Sequence, residues 1–172
     1  MTAYFRRQLI DYVEYHRHPW NCAAHVFGII TLFLGAVLPL TMWSLPGFGG
    51  HVTVAILLAL PVLVYWLALD PMLGLGILCS AIILLSTASA IVANVSALGV
   101  WMLTAVLVTV GVASQIVGHS VFERRKASMA DHPSHFLLGP MFVMAKLFIA
   151  LGFRRDLAII IGPVPVSYPG NR

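Results

Sequence analysis

Charge is the scarcest commodity in this sequence: of 172 residues only 9% are Asp, Glu, Lys or Arg, where ordinary soluble domains carry about 25%. With 60% hydrophobic residues and a mean hydropathy of +0.94, a water-soluble fold of this size is excluded, because it could not hide so much apolar surface. Cysteine is nearly absent as well. Cys22 and Cys79 fall inside apolar runs, which excludes a disulfide framework and reads them as small buried apolar side chains. There is no basic stripe interleaved with exposed aromatics, so the formal charge of +4 points to anionic lipid headgroups and not to nucleic acid. No fixed-period repeat occurs, and the chain lacks the set of clustered H-x-x-H and H-x-x-H-H boxes found in di-iron lipid hydroxylases and desaturases, having a lone H-x-x-H at His132–His135.

What is present is a series of long apolar segments. In lipid the backbone must satisfy its own hydrogen bonds, and unbroken runs of this length select helices over a barrel. The fold class is therefore all-α: an integral membrane bundle of about four transmembrane helices, forming one domain over residues 1–172. Spans are expected at about 19–43, 52–69, 72–92 and 100–117. Pro19 suits a first helical turn, and Asp70-Pro71 ends one span and caps the next.

Two further segments are not expected to cross. Residues 3–16 place Phe5, Leu9, Tyr12, Val13 and His16 on one helical stripe with Arg6, Arg7, Asp11 and Glu14 around the rest, which predicts an amphipathic helix at the interface. Those charges also argue against a cleavable secretory signal. Residues 136–153, with Pro140, Lys146 and Gly152 inside and Arg154-Arg155 behind, read as a re-entrant or interfacial helix. Four crossings put every Lys, Arg, Asp and Glu on one side and leave His51 alone on the other. By the positive-inside rule both termini are then cytoplasmic, in a bacterial inner membrane or, for a eukaryotic chain, the endoplasmic reticulum.

The histidines share that charged side. His16, His18 and His25 surround the start of the first span, His119 ends the fourth, and His132 and His135 follow in the polar stretch 118–135. Asn21 and His25 stand four residues apart, as do His119 and Glu123, so two helical stripes can converge. A histidine at a helix end often only bonds a carbonyl or a headgroup, and His18, next to Pro19, reads as a cap. Six on one face of a short chain point beyond that, to a metal site built from imidazole with carboxylate or water. Such a donor set suits iron or zinc, with redox iron the sharper choice.

Two segments carry a resemblance. His16-Arg17-His18-Pro19-Trp20-Asn21 through His25 has the form H-x-x-P-x-N-x-x-x-H, and Gln115 through Arg125 surrounds His119 and Glu123; Gly139-Pro140-Met141-Phe142 follows in order. Together they resemble the membrane family that includes the endoplasmic-reticulum 2-hydroxy fatty acid dioxygenase of phytosphingosine breakdown and its bacterial relatives. The resemblance implies an Fe(II)-dependent dioxygenase of lipid metabolism that uses O2 to shorten a 2-hydroxy fatty acid by one carbon, without a 2-oxoglutarate cosubstrate. By motif position it implies His16, His25 and His119 as ligands, with Asn21 and Glu123 as ligands or close neighbours. His132 and His135 stay as further ligand candidates, and Arg17, Arg124 and Arg125 as candidates to steer the carboxylate. The chain departs from the family at Lys126-Ala127-Ser128-Met129 and at Lys146. Two other classes compete: a haem-binding electron carrier with, for example, His25 and His119 as axial ligands, and a non-catalytic membrane module or transporter. Against the latter, no paired charges mark a path across the midplane.

Overall fold

The computed structural model describes residues 1–46, 52–124 and 135–162. Helix α1 (Ala3–Glu14) leads to α2 (Pro19–Thr41), α3 (Val54–Leu69), α4 (Pro71–Asn94) and α5 (Ala97–Val117). A π-helical segment (Gly118–Glu123) continues α5, and α6 (His135–Ala150) and α7 (Arg155–Ile161) follow. The architecture is all-helical among the described residues, apart from an isolated bridge between Ser44 and Thr53.

Three helices are long and apolar enough to cross a membrane: Pro19–Thr41, Pro71–Asn94 and Ala97–Glu123, the last including the π segment. The most apolar windows of the latter two are only 11% buried, and Ile83, Leu98 and Met102 are among the large apolar side chains facing outward. That surface requires lipid as its solvent. Helix α3 has 16 residues, about 24 Å at 1.5 Å each, so the expected span 52–69 is shorter than the other three.

Local chemistry sets the boundaries. Thr2 caps α1 through its hydroxyl, and Phe5, Leu9 and Tyr12 form the buried stripe. His18 is extended, as a residue before proline must be, and its ring accepts from the Trp20 N–H at 3.2 Å. Asp70 closes α3 and caps α4, accepting from the Met72 and Leu73 N–H groups at 3.1 Å. Only Val95 and Ser96 separate α4 from α5, a tighter turn than residues 94–99. Cys22 is buried, as expected, but Cys79 is exposed on the outer side of α4; helical rotation, invisible in a uniformly apolar run, decides that.

The antiparallel pair α2 and α5 forms the centre, and glycines set its closeness. Gly28 and Gly35 on α2, with Gly111 on α5 and Gly118 at the start of the π segment, lie at the contact. A Cβ on Gly35 would stand 3.1 Å from both Leu107 Cβ and Val108 Cγ2. Small residues let two backbones approach where the hydrophobic effect cannot drive helices together. Ser114 Oγ donates to the Ala24 carbonyl at 3.1 Å across the same contact.

Helix α6 begins beside the end of α1, where the His135 ring lies edge-on to Tyr12, 5.5 Å between centres. Past its other end, Arg154 Nη1 donates to both oxygens of buried Asp70 at 3.0 Å, next to Leu69, whose carbonyl accepts from the Thr2 N–H at the start of α1. Both ends of α6 therefore lie along α1. Burial opposes ionisation of Asp70, but the Leu73 N–H and Arg154 outweigh it and hold the carboxyl below its usual range.

Candidate metal centre and adjoining groove

Three of the motif histidines meet. His16 from the α1–α2 link, His25 from the second turn of α2 and His119 from the π segment each offer one nitrogen, and these atoms lie within 4.8 Å of one another. All three residues are buried. The ring centres are 4.3 Å apart for His16 and His25, 4.7 Å for His25 and His119, and 5.1 Å for His16 and His119, all edge to face. His135 borders the group but is not part of it. His132 and Arg125, like His51, lie outside the described residues.

Backbone carbonyls orient two of these rings. His16 Nδ1 lies 2.9 Å from the Tyr12 carbonyl and His25 Nδ1 3.1 Å from the Asn21 carbonyl, each one helical turn back. A neutral imidazole donating through Nδ1 carries its lone pair on Nε2. The orienting acceptors are thus main-chain groups, and not the side chains of Asn21 or Glu123. Burial, reinforced by His25, pushes the His16 pKa down to about 2, so this ring is neutral and available as a ligand. Tyr12 stacks flat against it, 4.1 Å between centres.

Glu123 acts as a clamp. Its Oε1 accepts from the His18 N–H at 2.7 Å and from Asn21 Nδ2 at 3.2 Å, while Asn21 Nδ2 also reaches the Tyr15 carbonyl at 3.3 Å. The end of α5 is thereby fastened to the link carrying His16. The π geometry allows it: the wider turn keeps His119 and Glu123 both directed at α2, in the manner of π-bulges at functional sites. His18 caps α2 and stacks on Phe122. Arg17 and Arg124 are exposed near this end, Arg124 ending the π segment with a left-handed φ of 53°.

The donor set fits a metal ion. His16 Nε2 and His119 Nδ1 are buried without a hydrogen-bond partner, and leaving such groups unmatched costs about 1–3 kcal/mol each. A cation that accepts imidazole lone pairs removes that penalty. Three neutral nitrogens suit iron or zinc and leave further coordination positions for oxygen ligands.

Beside the centre lies a groove of about 480 Å³. His25, His119, His135 and Tyr12 line its head; Ile29, Leu32, Phe33 and Ala36 of α2 and Val108 and Val112 of α5 line its length. Gln115, one turn before His119, is the amide in this otherwise apolar wall. The groove is open on one side, where Ala36, Val112, Ile116 and Phe136 are exposed. Sequence reasoning missed Tyr12 and Gln115 as site residues. Their signals were present, since Tyr12 sits one turn before His16 and Gln115 one turn before His119.

The family model described as "Mpo1-like: 2-hydroxy-palmitic acid dioxygenase Mpo1-like" matches residues 72–151. The match takes in α4, α5, the π segment and α6, hence His119, Glu123 and His135, while His16 and His25 precede it. No curated protein and no solved structure matches the chain. The matched stretch supplies one wall of the histidine centre and the H-x-x-P-x-N-x-x-x-H segment the other, and the match over residues 72–151 supports the resemblance to the Mpo1-like family.

Proposed function

We propose that this protein is an Fe(II)-dependent dioxygenase that removes one carbon from 2-hydroxy fatty acids at the cytoplasmic face of a membrane. The observation that carries the reading is the position of the centre: three convergent, buried imidazoles at the head of an apolar groove that opens sideways toward lipid. The family description points to the same substrate class. Imidazole rings 4.3–5.1 Å apart leave no slot for a planar macrocycle between them, which favours non-haem iron over the haem carrier.

His16, His25 and His119 hold the metal. Bound there, iron supplies a Lewis acid and a redox centre able to gather O2 and the 2-hydroxy carboxylate. The chain's own groups do the rest. The Tyr12 and Asn21 carbonyls fix the ring orientation of His16 and His25, and Glu123 holds the link. Gln115 and the Tyr12 hydroxyl, the non-histidine polar groups of the groove, orient the substrate head by hydrogen bonding, and the apolar walls exclude water. Arg17 and Arg124 at the rim draw the carboxylate toward the centre. Overall, a 2-hydroxy acid and O2 give the acid one carbon shorter, CO2 and water. Oxidation of the two carbons supplies every electron O2 takes up, so no co-reductant is needed.

In this reading α2, α3, α4 and α5 cross the bilayer while α1 and α6 lie in the interface. The antiparallel run of α6 along α1 and the Arg154–Asp70 pair at its end favour that arrangement over a fifth crossing. The test is iron content and product mass for detergent-purified wild type beside His119→Ala. Near-stoichiometric iron and a one-carbon-shorter product, both lost in the variant, are expected. A haem spectrum, or iron with no turnover of any 2-hydroxy acid, would sink the reading.

A further inference from the structure

We infer that the far end of the groove, formed by Ala36 on α2 and Val108 on α5, measures the acyl chain and sets the substrate length the protein accepts. The inference rests on the groove being the acyl site of the reaction proposed above. From His25 to Ala36 is eleven residues of α2, and from His119 back to Val108 is eleven of α5, so both walls run about 16 Å from the histidines at 1.5 Å per residue.

Beyond that point the helices close. Gly35 packs so tightly on Leu107 and Val108 that a Cβ there would press against both. Further along, Leu38 on α2 and Val100 on α5, with Ala88 of α4, form a separate, almost fully buried cluster. A chain lying along the groove meets this floor, and the last side chains it passes are Ala36 and Val108. Ala36 is the smallest of the α2 residues lining the groove, so its size decides how far the slot extends.

Selectivity here must come from fit. A chain leaving the bilayer for the groove exchanges one apolar surrounding for another, so the hydrophobic effect contributes little to discrimination. A misfitting methylene in a hydrophobic pocket changes kcat/KM by about 10–200-fold. A slot open on one side lets an overlong chain bend outward, which places the effect at the lower end of that range.

The experiment compares wild type with Ala36→Phe, Val108→Phe and Val108→Ala across a homologous series of straight-chain 2-hydroxy acids. In parallel, unhydroxylated saturated fatty acids of the same lengths compete for a bound fluorescent fatty acid. Both phenylalanine variants should move the preferred length downward, with kcat/KM for the longest substrates falling about tenfold relative to the shortest, and Val108→Ala should move it upward. Val108→Ala only trims a side chain and keeps the test decisive if a phenylalanine variant fails to fold. Active wild type with the same length profile in every folded variant overturns the ruler and leaves the dioxygenase standing. Shifted competition profiles without turnover by wild type keep the ruler and remove the dioxygenase. No length-dependent competition and no turnover overturn both.

Discussion

His25 and His119, from helices at opposite ends of the bundle's sequence, face each other edge-on with ring centres 4.7 Å apart. With His16 they form a group that could hold a metal ion, its nitrogens within 4.8 Å of one another. Replacing any one of the three by alanine should lower retained iron about tenfold or more, measured by elemental analysis. Titrating Fe(II) into metal-stripped wild type should raise its thermal stability, by about 2.7 kcal/mol at a hundredfold excess over Kd, and His119→Ala should show little of that gain.

Glu123 accepts from His18 and Asn21, which makes it a brace for the ligand-bearing link. Glu123→Gln should keep one iron per chain but weaken its binding by about 10–100-fold. A loss of stoichiometry as complete as that of His119→Ala would mean that the carboxylate is itself a ligand.

Gly118 sits where a Cβ would collide with Asn21 Oδ1 and come 3.4 Å from His25 Nδ1. Gly118→Ala should therefore cost about 1–3 kcal/mol of stability through overpacking, read by thermal or denaturant unfolding, and should reduce iron affinity because the two helices are pushed apart. Unchanged iron affinity in the folded variant would argue that the centre tolerates the displacement.

Gln115 lends the groove an amide beside the histidines. Gln115→Leu should raise KM about fivefold, the equivalent of one net hydrogen bond near 1 kcal/mol, with iron content unchanged. A fall in kcat at constant KM would place its interaction in the transition state alone.

Asp70 and Arg154 bind α4 to the segment after α6. Asp70→Asn should destabilise the protein by about 3 kcal/mol, the lower end for a broken buried pair, since Arg154 keeps Asp156 at 2.8 Å. The Asp70 carboxyl is held below its unfolded value of about 3.9. Its contribution is therefore complete above that pH and is lost as pH falls through the lower folded value. Melting curves for wild type should show no change from this pair between about pH 5 and 8 and a decline below about pH 4; the asparagine variant should lack that acid-dependent part.

Much of the architecture was legible because lipid makes few demands, and those it makes appear in sequence. Runs of apolar residues ended by Asp70-Pro71 and begun by Pro19 fixed helix boundaries to within a few residues. Charge scarcity fixed the solvent. Uniformly apolar helices carry almost no facial signal, however, so the outward placement of Cys79 could not be read. The continuation of α5 to Glu123 was left open by the four-residue spacing of His119 and Glu123, because polar residues after Gly118 look like a loop.

The motif residues and their spacing were determined by the sequence alone, as were the all-helical class and the gathering of histidines toward one end. Tertiary structure decided which histidines converge, because that depends on how closely α2 and α5 approach and on the phase of a π turn. It also decided that main-chain carbonyls orient His16 and His25, that Glu123 is a clamp, and that a groove runs from the centre to Ala36 and Val108. These are relations between elements distant along the chain. Their energies are set by contact and enclosure, and no local pattern of residues encodes either.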